Sequence, residues 1–497
     1  MAPAPSVRGE QLPAGGAADR RVDVGESPAR RADPPQPARR VAAVLVRLGG
    51  SCVVGHGAML GRRTLPGNRR RPGRVTLAAD VASPSAAGML AVVPSSAARR
   101  TTLALAATLA GPAAWVARAA WGLPTALGAS QREVQASAAG SPQFADGRFH
   151  NRLSTPARPP ASAQRGLLRQ MHEERDTGLP ARPVPVTRPE LPAQAGELAV
   201  TWFGHSSALL EVDGRRVLVD PVWGERVSPS PLVGPTRLHP APLPLEELPQ
   251  VDAVLVSHDH YDHLDLPTVR GLLRTQAAPF VVPLGLGAHL RGWGVPEDRV
   301  VELDWDGAVR LAGLTLTCTE ARHFSGRFLT RDTTLWASWV VAGPRHRVFF
   351  GGDTGYTPAF AQIGALLGPF DLTLLPIGAY NDAWALIHMT PEEAVRAHGD
   401  LGGGLLVPVH WATFNLAFHR WAEPVQRLCA AAERSEVRVA VPRPGQRVDV
   451  LAPPALTDWW SEVGALADEP VETGDGGAGS SVVARAASWL TARRAGD

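Results

Sequence analysis

Short apolar runs alternate with turns rich in Gly and Asp from residue 198 onward. Apolar runs of this length between turn residues are typical of strands. Two longer segments with apolar residues three and four positions apart are typical of helices. Strands interspersed with helices predict an α/β fold in packed layers. The predicted strands are 198–203, 208–212, 216–219 and 253–257, and the predicted helices are 266–274 and 391–398.

Outside this region the periodicity is weak, and composition divides the chain into further segments. Residues 1–88 consist largely of Arg, Pro, Ala and Gly, so we expect a disordered extension. Residues 126–197 predict a Pro-rich arm that wraps the main domain, which we place at 198–453. The remaining residues, 454–497, predict a flexible tail that ends in a short helix over 480–494.

Residues 89–125 are a candidate membrane anchor or interfacial helix. Two arginines precede the apolar run 101–117, whose length is at the lower limit for a membrane span. A Gly-Pro interruption and a nearby arginine favour a helix that lies in the cytoplasmic membrane interface. We therefore expect a cytoplasmic, peripherally membrane-associated protein. The alternatives are a single-pass anchor with an exported domain, and a helix packed on the main domain.

Charge and cysteine content narrow the classes of function. Residues 1–100 hold 16 arginines and 6 acidic residues, which leaves 34 basic and 41 acidic residues in the remainder. A mildly acidic domain matches a nucleic acid poorly, so we expect no nucleic-acid partner. The three cysteines are widely spaced and predict no disulfide framework. We also expect translation to begin near Met89, because the preceding residues carry no candidate chemistry.

The run His258-Asp-His-Tyr-Asp-His is the strongest chemical signal in the chain, and it follows the apolar stretch 251–256 directly. A strand that leaves its sheet there can direct His258 and His260 at one metal, while Asp262 and His263 reach a second. Imidazole nitrogen and carboxylate oxygen suit zinc or iron rather than magnesium or calcium. A lone histidine is usually a surface or core residue, but four potential ligands in six residues indicate a metal site.

Three further candidate ligands follow other apolar runs. His323 and His410 each come at the end of a strand-like segment, and Asp353 lies in a Gly-Asp-Thr-Gly turn. All seven candidates therefore lie at the carboxyl ends of short predicted strands. They can therefore lie close together at one edge of the sheet sandwich.

The order of these ligands resembles the metallo-β-lactamase superfamily of binuclear hydrolases. Further motifs between about residues 140 and 430 resemble N-acyl-phosphatidylethanolamine-hydrolysing phospholipase D and its bacterial relatives. The motifs include Trp202-Phe-Gly-His-Ser-Ser, Leu218-Val-Asp-Pro, Ser228-Pro-Ser-Pro, Val282-Pro-Leu-Gly-Leu, Glu302-Leu-Asp-Trp, Leu335-Trp-Ala-Ser-Trp, Phe350-Gly-Gly-Asp-Thr-Gly-Tyr, Pro376-Ile-Gly-Ala-Tyr and Pro391-Glu-Glu-Ala.

The resemblance implies a four-layer αββα sandwich, two Zn²⁺ ions or other divalent transition metals, and phosphodiester hydrolysis. The two carboxylates Asp262 and Asp353 are then expected to be catalytic, because two adjacent ions lower the pKa of a shared water. The implied ligands are His258, His260 and His323 for the first ion, Asp262, His263 and His410 for the second, and Asp353 as the bridge.

Residues around the ligands are candidates for support. Asp220, after a predicted strand, and Asp265, just past the ligand run, can orient ligand histidines. The alternative for each is a carboxylate that caps a turn or helix. His205 is either a further supporting residue or a buried histidine with its own partners.

Three residues are candidates for substrate binding. His388 precedes a predicted helix start, where the resembling family has a histidine that contacts the substrate or aids catalysis. Arg327 offers a forked guanidinium suited to phosphate, and Tyr261 lies within the ligand run. The alternative for His388 is a loop histidine without a role, and the alternative for Arg327 is an ordinary surface arginine.

The sequence thus predicts a zinc phosphodiesterase of phospholipase D type that acts on N-acyl-phosphatidylethanolamine-like lipids at a membrane surface through a metal-bridging hydroxide. One alternative is a lactonase or other ester hydrolase, because the same chemistry attacks acyl carbons. Another is a membrane-tethered binding or scaffold protein with a structural metal site. The oligomeric state stays open.

Overall fold

The computed structural model describes residues 114–155, 176–327 and 331–464, together with 111, 169, 170, 173 and 174. The predicted disordered extension, most of the apolar run 101–117 and the predicted helix over 480–494 lie outside the described residues. Among the described residues, no helix is both long and apolar enough to cross a membrane.

The arm that precedes the main domain contains short elements. Before it, residues 114–119 of the candidate anchor segment 89–125 are helical. Two further helices follow, α1 (Leu123–Leu127) and α2 (Gln131–Ala136), and α2 begins with a capping box between Ser130 and Glu133. A small hairpin then pairs β1 (Phe144–Ala145) with β2 (Arg148–Phe149).

The first large sheet has seven strands. Its spatial order is β15-β3-β4-β5-β6-β7-β8. The strands from β15 to β5 pair antiparallel and those from β5 to β8 pair parallel. The strands are β3 (Leu198–Gly204), β4 (Ser207–Val212), β5 (Arg215–Val219), β6 (Ala253–Leu255), β7 (Phe280–Pro283), β8 (Val300–Leu303) and β15 (Arg447–Asp449).

The second large sheet has six strands in the order β14-β13-β12-β11-β10-β9. Strands β12, β13 and β14 are parallel, and the others pair antiparallel. The strands are β9 (Ala308–Leu311), β10 (Leu314–Thr319), β11 (Ser338–Ala342), β12 (Arg347–Phe350), β13 (Phe370–Pro376) and β14 (Gly403–Val409).

Among the described residues, five α-helices flank the sheets: α3 (Leu266–Thr275), α4 (Leu286–Gly292), α5 (Ala359–Leu367), α6 (Pro391–Asp400) and α7 (Glu423–Arg434). Successive strand residues point to opposite faces. Val217 and Val219 of β5 therefore join the core shared with the second sheet, whereas Leu218 joins the core with α3 and α4. Helix α6 contacts β13 and β14 from the other side. The layers are helix, sheet, sheet and helix, so the predicted αββα sandwich is confirmed.

The predicted elements of the main domain agree with the structure to within two residues at most ends. One predicted boundary is wrong. The described residues of the predicted flexible tail pack on the core, where Trp459, Trp460 and Val463 are buried. The amide of Ala181 in the arm donates to Gly464. The domain therefore extends through residue 464. The aromatic side chains of this otherwise polar segment pack against residues that are far away in sequence.

Candidate metal centre

The ligand run 258–263, called the cradle below, begins three residues after β6 ends. Strand β6 pairs in parallel with β5, so Asp220 at the end of β5 lies beside the start of the cradle. The Asp220 carboxylate accepts hydrogen bonds from the amide and hydroxyl of Ser257, both at 2.6 Å. The same carboxylate lies 2.7 Å from Nδ1 of His263. The end of one strand thereby fixes both ends of the cradle.

Three histidines form one half of the site, called the first triad. Nδ1 of His260 lies 2.8 Å from Nε2 of His258 and 3.4 Å from Nε2 of His323. One nitrogen of each ring lies within 4.8 Å of the others. His323 comes from the loop after β10, in the opposite sheet. The triad therefore spans both sheets.

Asp262, His263 and His410 form the other half, called the second triad. Oδ2 of Asp262 lies 3.4 Å from Nε2 of His263 and 3.4 Å from Nε2 of His410. His410 follows β14 directly, again in the opposite sheet. The structure thus brings Asp262 and His263 of the cradle together with His410 from the opposite sheet.

Asp353 lies between the two triads. Its Oδ2 is 3.2 Å from Nε2 of His263 and 3.0 Å from Nε2 of His410. The same oxygen is 4.0 Å from Nε2 of His258 and 3.8 Å from Nε2 of His323. One carboxylate oxygen is within reach of donors from both halves. This is the geometry that a bridging ligand requires.

The residues present fit a divalent transition metal. Seven imidazole and carboxylate donors from four loops converge on one buried region, and the set matches zinc or iron in chemistry. Oδ1 of Asp353 is buried and has no hydrogen-bond partner among the described residues. A buried carboxylate oxygen without a partner is costly, and a cation beside it would offset that cost.

The two triads differ in their electrostatics. In the first triad, burial and neighbouring imidazoles hold the pKa values of His258 and His323 well below the usual range. In the second triad, burial also disfavours the charged imidazole of His263, but the carboxylates of Asp353, Asp262 and Asp220 outweigh burial and raise its pKa well above the usual value. The pKa of His410 is raised to about 9 against the effect of burial, mainly by Asp353.

Three residues near the second triad adopt left-handed backbone conformations. The φ angles are 52° at His205, 39° at Asp220 and 61° at His410. Such conformations are unfavourable for residues other than Gly, and they cluster at functional sites. Surrounding contacts hold them here; for example, the amide of His410 donates to the carbonyl of His205.

His205 is buried and lies against the second triad. Its Nε2 is 2.9 Å from Oδ2 of Asp262, and its ring centroid is 4.1 Å from that of His410. Burial and the neighbouring His410 lower the pKa of His205 to about 3. The ring is therefore neutral near pH 7. Both interpretations of His205 agree with this placement, since it is buried and also contacts a candidate ligand.

His388 lies at the edge of the site, three residues before α6 begins. Its Nδ1 is 4.0 Å from Oδ2 of Asp353 and has no hydrogen-bond partner among the described residues. Burial lowers its pKa to about 4. The capping box between Thr390 and Glu393 fixes the helix start that carries it. The ring is thus directed at the candidate bridge in a neutral form.

Two candidate residues have other contacts in the structure: Arg327, expected to bind substrate, and Asp265, expected to orient a ligand histidine. Arg327 is 3% exposed, and its guanidinium donates to the backbone carbonyls of Ala126, Asp259 and Leu264. It therefore does not lie open to a phosphate. Asp265 caps α3 by accepting from the amide of Thr268, so the cap alternative describes it. Tertiary packing sets the partners of both side chains, and a helix cap was the alternative that the sequence left open for Asp265.

The substrate role of Tyr261 stays a prediction. Its ring is half-buried under the guanidinium of Arg327, with the guanidinium carbon 4.0 Å from the ring centroid. This contact anchors the middle of the cradle.

Sequence reasoning missed two residues that contact ligands. The Ser257 hydroxyl links Asp220 to Nδ1 of His258, at 2.9 Å from the latter. Asn151, in the arm, donates from Nδ2 to the carbonyl of His323 at 2.8 Å and accepts from its amide at 3.2 Å. Ser257 was detectable by its position directly before the cradle. Asn151 ends the arm hairpin, and no local pattern connects it with His323.

Comparison with known proteins places this site in a family. A family described as a beta-lactamase superfamily domain matches residues 215–411, which include all seven candidate ligands. An uncharacterized protein of Mycobacterium tuberculosis (strain H37Rv) is 57% identical over 374 residues, which cover 73% of this chain and 99% of that protein.

N-acyl-phosphatidylethanolamine-hydrolyzing phospholipase D 1 of Caenorhabditis elegans is 38% identical over 244 residues, which cover 46% of this chain and 68% of that protein. The chain belongs to the family of metallo-β-lactamase-fold hydrolases. The mitochondrial N-acyl-phosphatidylethanolamine-hydrolyzing phospholipase D of Saccharomyces cerevisiae is 32% identical over 243 residues, which cover 47% of this chain and 51% of that protein. The resemblance predicted from the motifs is therefore confirmed, and the chain is a metal-dependent hydrolase of the metallo-β-lactamase fold.

Proposed function

We propose that this metallo-β-lactamase-fold hydrolase is a binuclear zinc phosphodiesterase of phospholipase D type that acts on N-acyl-phosphatidylethanolamine-like lipids. The observation that carries the binuclear part is Asp353, whose Oδ2 lies within 4.0 Å of donors from both triads. A single structural ion would need only one triad. Two triads joined by one carboxylate support two ions, which argues against a binding or scaffold protein.

Bound to these residues, two divalent ions would supply the Lewis acidity that makes water a nucleophile at neutral pH and that offsets charge on a phosphoryl group. The chain's own residues orient the donors. Asp220 holds Nδ1 of His263, which leaves Nε2 of that ring for a metal. His205 contacts Oδ2 of Asp262, the same oxygen that faces His263 and His410, and so orients that carboxylate.

His388 is proposed to contact the substrate. Its neutral ring lies beside Asp353, and its Nδ1 is buried without a partner among the described residues. A neutral imidazole has one donor and one acceptor nitrogen, so it can hold an oxygen of the scissile group, or accept a proton from the attacking water and pass it to the leaving group.

The lipid class is proposed from the named relatives, whose printed names state hydrolysis of N-acyl-phosphatidylethanolamine. Two exposed tryptophans in the candidate anchor segment 89–125 support contact with a membrane surface. Trp115 is 55% exposed and Trp121 is 81% exposed. Exposed aromatic residues of this kind favour the membrane interface. We propose peripheral membrane association on that basis.

The test is to load the full chain with zinc, measure metal content, and assay three substrates: N-acyl-phosphatidylethanolamine in mixed micelles, a soluble aryl phosphodiester and a lactone. We expect about two metals per chain. We also expect cleavage of both phosphodiesters, with the lipid preferred. Turnover of the lactone alone would replace the proposal by the ester-hydrolase alternative. Metal binding without turnover of any substrate would support the scaffold alternative.

A variant separates chemistry from membrane contact. Replacing Trp115 and Trp121 together by Ser should reduce binding to phosphatidylethanolamine-containing vesicles and turnover of the micellar lipid. Turnover of the soluble phosphodiester should stay the same, because neither side chain touches the metal centre. An unchanged vesicle affinity would contradict the proposed membrane contact while leaving the catalytic proposal intact.

A further inference from the structure

Arg327 connects the arm to the cradle. Its Nη1 donates to the carbonyls of Asp259, at 2.6 Å, and Leu264, at 3.0 Å. Its Nε and Nη2 donate to the carbonyl of Ala126, at 3.2 and 2.8 Å. The carbonyl of Asp259 lies near the start of the cradle, and that of Leu264 directly follows its end. The carbonyl of Ala126 lies in α1. One rigid guanidinium therefore joins both ends of the ligand run to the arm.

The environment of Arg327 makes this connection costly to break. The guanidinium is buried and stacks over the ring of Tyr261, with its carbon 4.0 Å from the ring centroid. The same carbon lies 5.1 Å from the ring centroid of Trp293. The indole of Trp293 in turn donates to Thr125 in α1. If the arm moved away, two charged donors of Arg327 would lose their acceptor in a buried place, which is strongly unfavourable.

A second, independent contact joins the arm to the metal centre. Asn151 forms two hydrogen bonds with the backbone of His323, as described above. The indole of Trp336 also donates to Oδ1 of Asn151 at 3.0 Å. The arm therefore touches the loop that carries His323 at two points, and it reaches the cradle through Arg327 of that loop.

A third contact also connects the arm with the cradle. The amide of Ala129, two residues after α1, donates to Nδ1 of His289 at 2.9 Å. Nε2 of His289 lies 3.5 Å from Oδ2 of Asp259, whose Oδ1 accepts from the amide of Gly326. The cradle, the His323 loop and the arm thus share one network of contacts.

We propose that arm docking and metal binding are coupled, with Arg327 as the positioning residue that transmits the coupling. The inference rests on the proposed metal centre. A docked arm holds the cradle and His323 in the geometry that metal requires. By thermodynamic reciprocity, bound metal must then hold the arm in place. Residues 123–151 are therefore part of the metal site in function as well as in contact.

Hydrogen exchange on the full chain tests the coupling. The amides of Ala129 and Phe149 report on docking, because they donate to His289 and to the carbonyl of Asp332. We expect zinc to slow exchange in residues 123–151 by about fivefold or more relative to the chelated protein. Zinc affinity is measured on the same samples by competition with a chelating dye.

Arg327→Gln should weaken zinc affinity by about 10- to 100-fold and remove most of the zinc-dependent slowing in the arm. Arg299→Gln is the matched control. Arg299 also donates from Nε and Nη2 to one backbone carbonyl, that of Ala278, at 3.1 and 2.7 Å. It does so away from the cradle, so its replacement should leave zinc affinity and the slowing unchanged.

Asn151→Ala tests the same coupling if Arg327→Gln fails to fold, since it removes only the contacts with His323 and Trp336. It should weaken zinc affinity and speed exchange in the arm. The inference is wrong if the unmodified chain binds zinc while arm exchange does not change, or if both variants bind zinc as tightly as Arg299→Gln. Failure of the unmodified chain to bind zinc would instead overturn the proposed metal centre.

Discussion

The first triad and the second triad use the same side-chain types in different surroundings. Burial lowers the pKa values of His258 and His323, and the neighbouring imidazoles lower them further. Around His263 and His410, buried carboxylates dominate, and the pKa values are raised. Without metal, the first triad is therefore neutral near pH 7, whereas the second holds protons in place of a cation.

This difference teaches how a protein can keep buried carboxylates stable. Asp353 is buried and Asp262 is mostly buried, and nearby histidines hold the pKa values of both well below the usual range despite the burial. Charged imidazoles stand in for a metal ion as the positive partners. Metal binding to the second triad must then displace protons, while binding to the first does not.

Asp353→Ala should have the largest effect, because it removes the one ligand that both triads share. We expect loss of both metals and a fall in turnover of more than about 100-fold, beyond the usual effect of a supporting residue. Metal content by mass spectrometry and the soluble phosphodiester assay measure this. Asp371→Ala, at the amino-terminal end of β13, is the control and should behave like the unmodified chain. A variant that retains two metals and most activity would refute the bridge.

Paired ligand variants separate the two halves. His410→Ala should empty the second triad and leave about one metal per chain, bound by the first triad. His323→Ala should empty the first triad and leave about one metal per chain, bound by the second triad. Both should lose most activity, because water activation is assigned to the pair of ions. If either variant lost both metals or neither, the two triads would not be distinct sites.

Asp220→Asn should weaken the second triad more than the first, because its carboxylate holds His263 directly at 2.7 Å and reaches His258 only through Ser257. We expect about 10- to 100-fold lower affinity for the second metal. Affinity for the first metal should fall less, which stepwise titration with a competing chelator can determine. Equal weakening of both steps would show that Asp220 supports the whole site.

The pH dependence of metal binding should also differ between the halves. His410 has a pKa of about 9, so it is protonated below that pH and its proton must leave when metal binds. Affinity for the second metal should fall by about tenfold per pH unit for each proton released, as pH decreases from 9 to 7. Affinity for the first metal should hardly change over that range, because His258 and His323 are already neutral. Equal slopes for both metals would contradict the comparison.

Local patterns in the sequence predicted much of this site. The cradle was recognisable because its four ligands lie within six residues, and the strand-terminal positions of His323, Asp353 and His410 follow from short apolar runs. The packed layers followed from the same runs. Such features depend on neighbours in sequence, which a single chain displays directly.

Contacts across long stretches of sequence could not be predicted in the same way. Arg327 was expected at a phosphate and instead binds carbonyls of the cradle and of Ala126, 201 positions away. Asn151 reaches His323 over 172 positions. Trp459 was placed in a tail but is buried in the core. A forked guanidinium, an amide or an indole fits many partners, and only the folded chain selects among them.

The central claim is that two metals share Asp353. Anomalous X-ray scattering from crystals of the zinc-loaded chain, measured at the zinc edge, tests it most directly. The account predicts two peaks about 3.5 to 4 Å apart, one beside His258, His260 and His323 and the other beside Asp262, His263 and His410, with the Asp353 carboxylate between them. A single peak in a fully loaded protein, or two peaks that do not share Asp353, would contradict it.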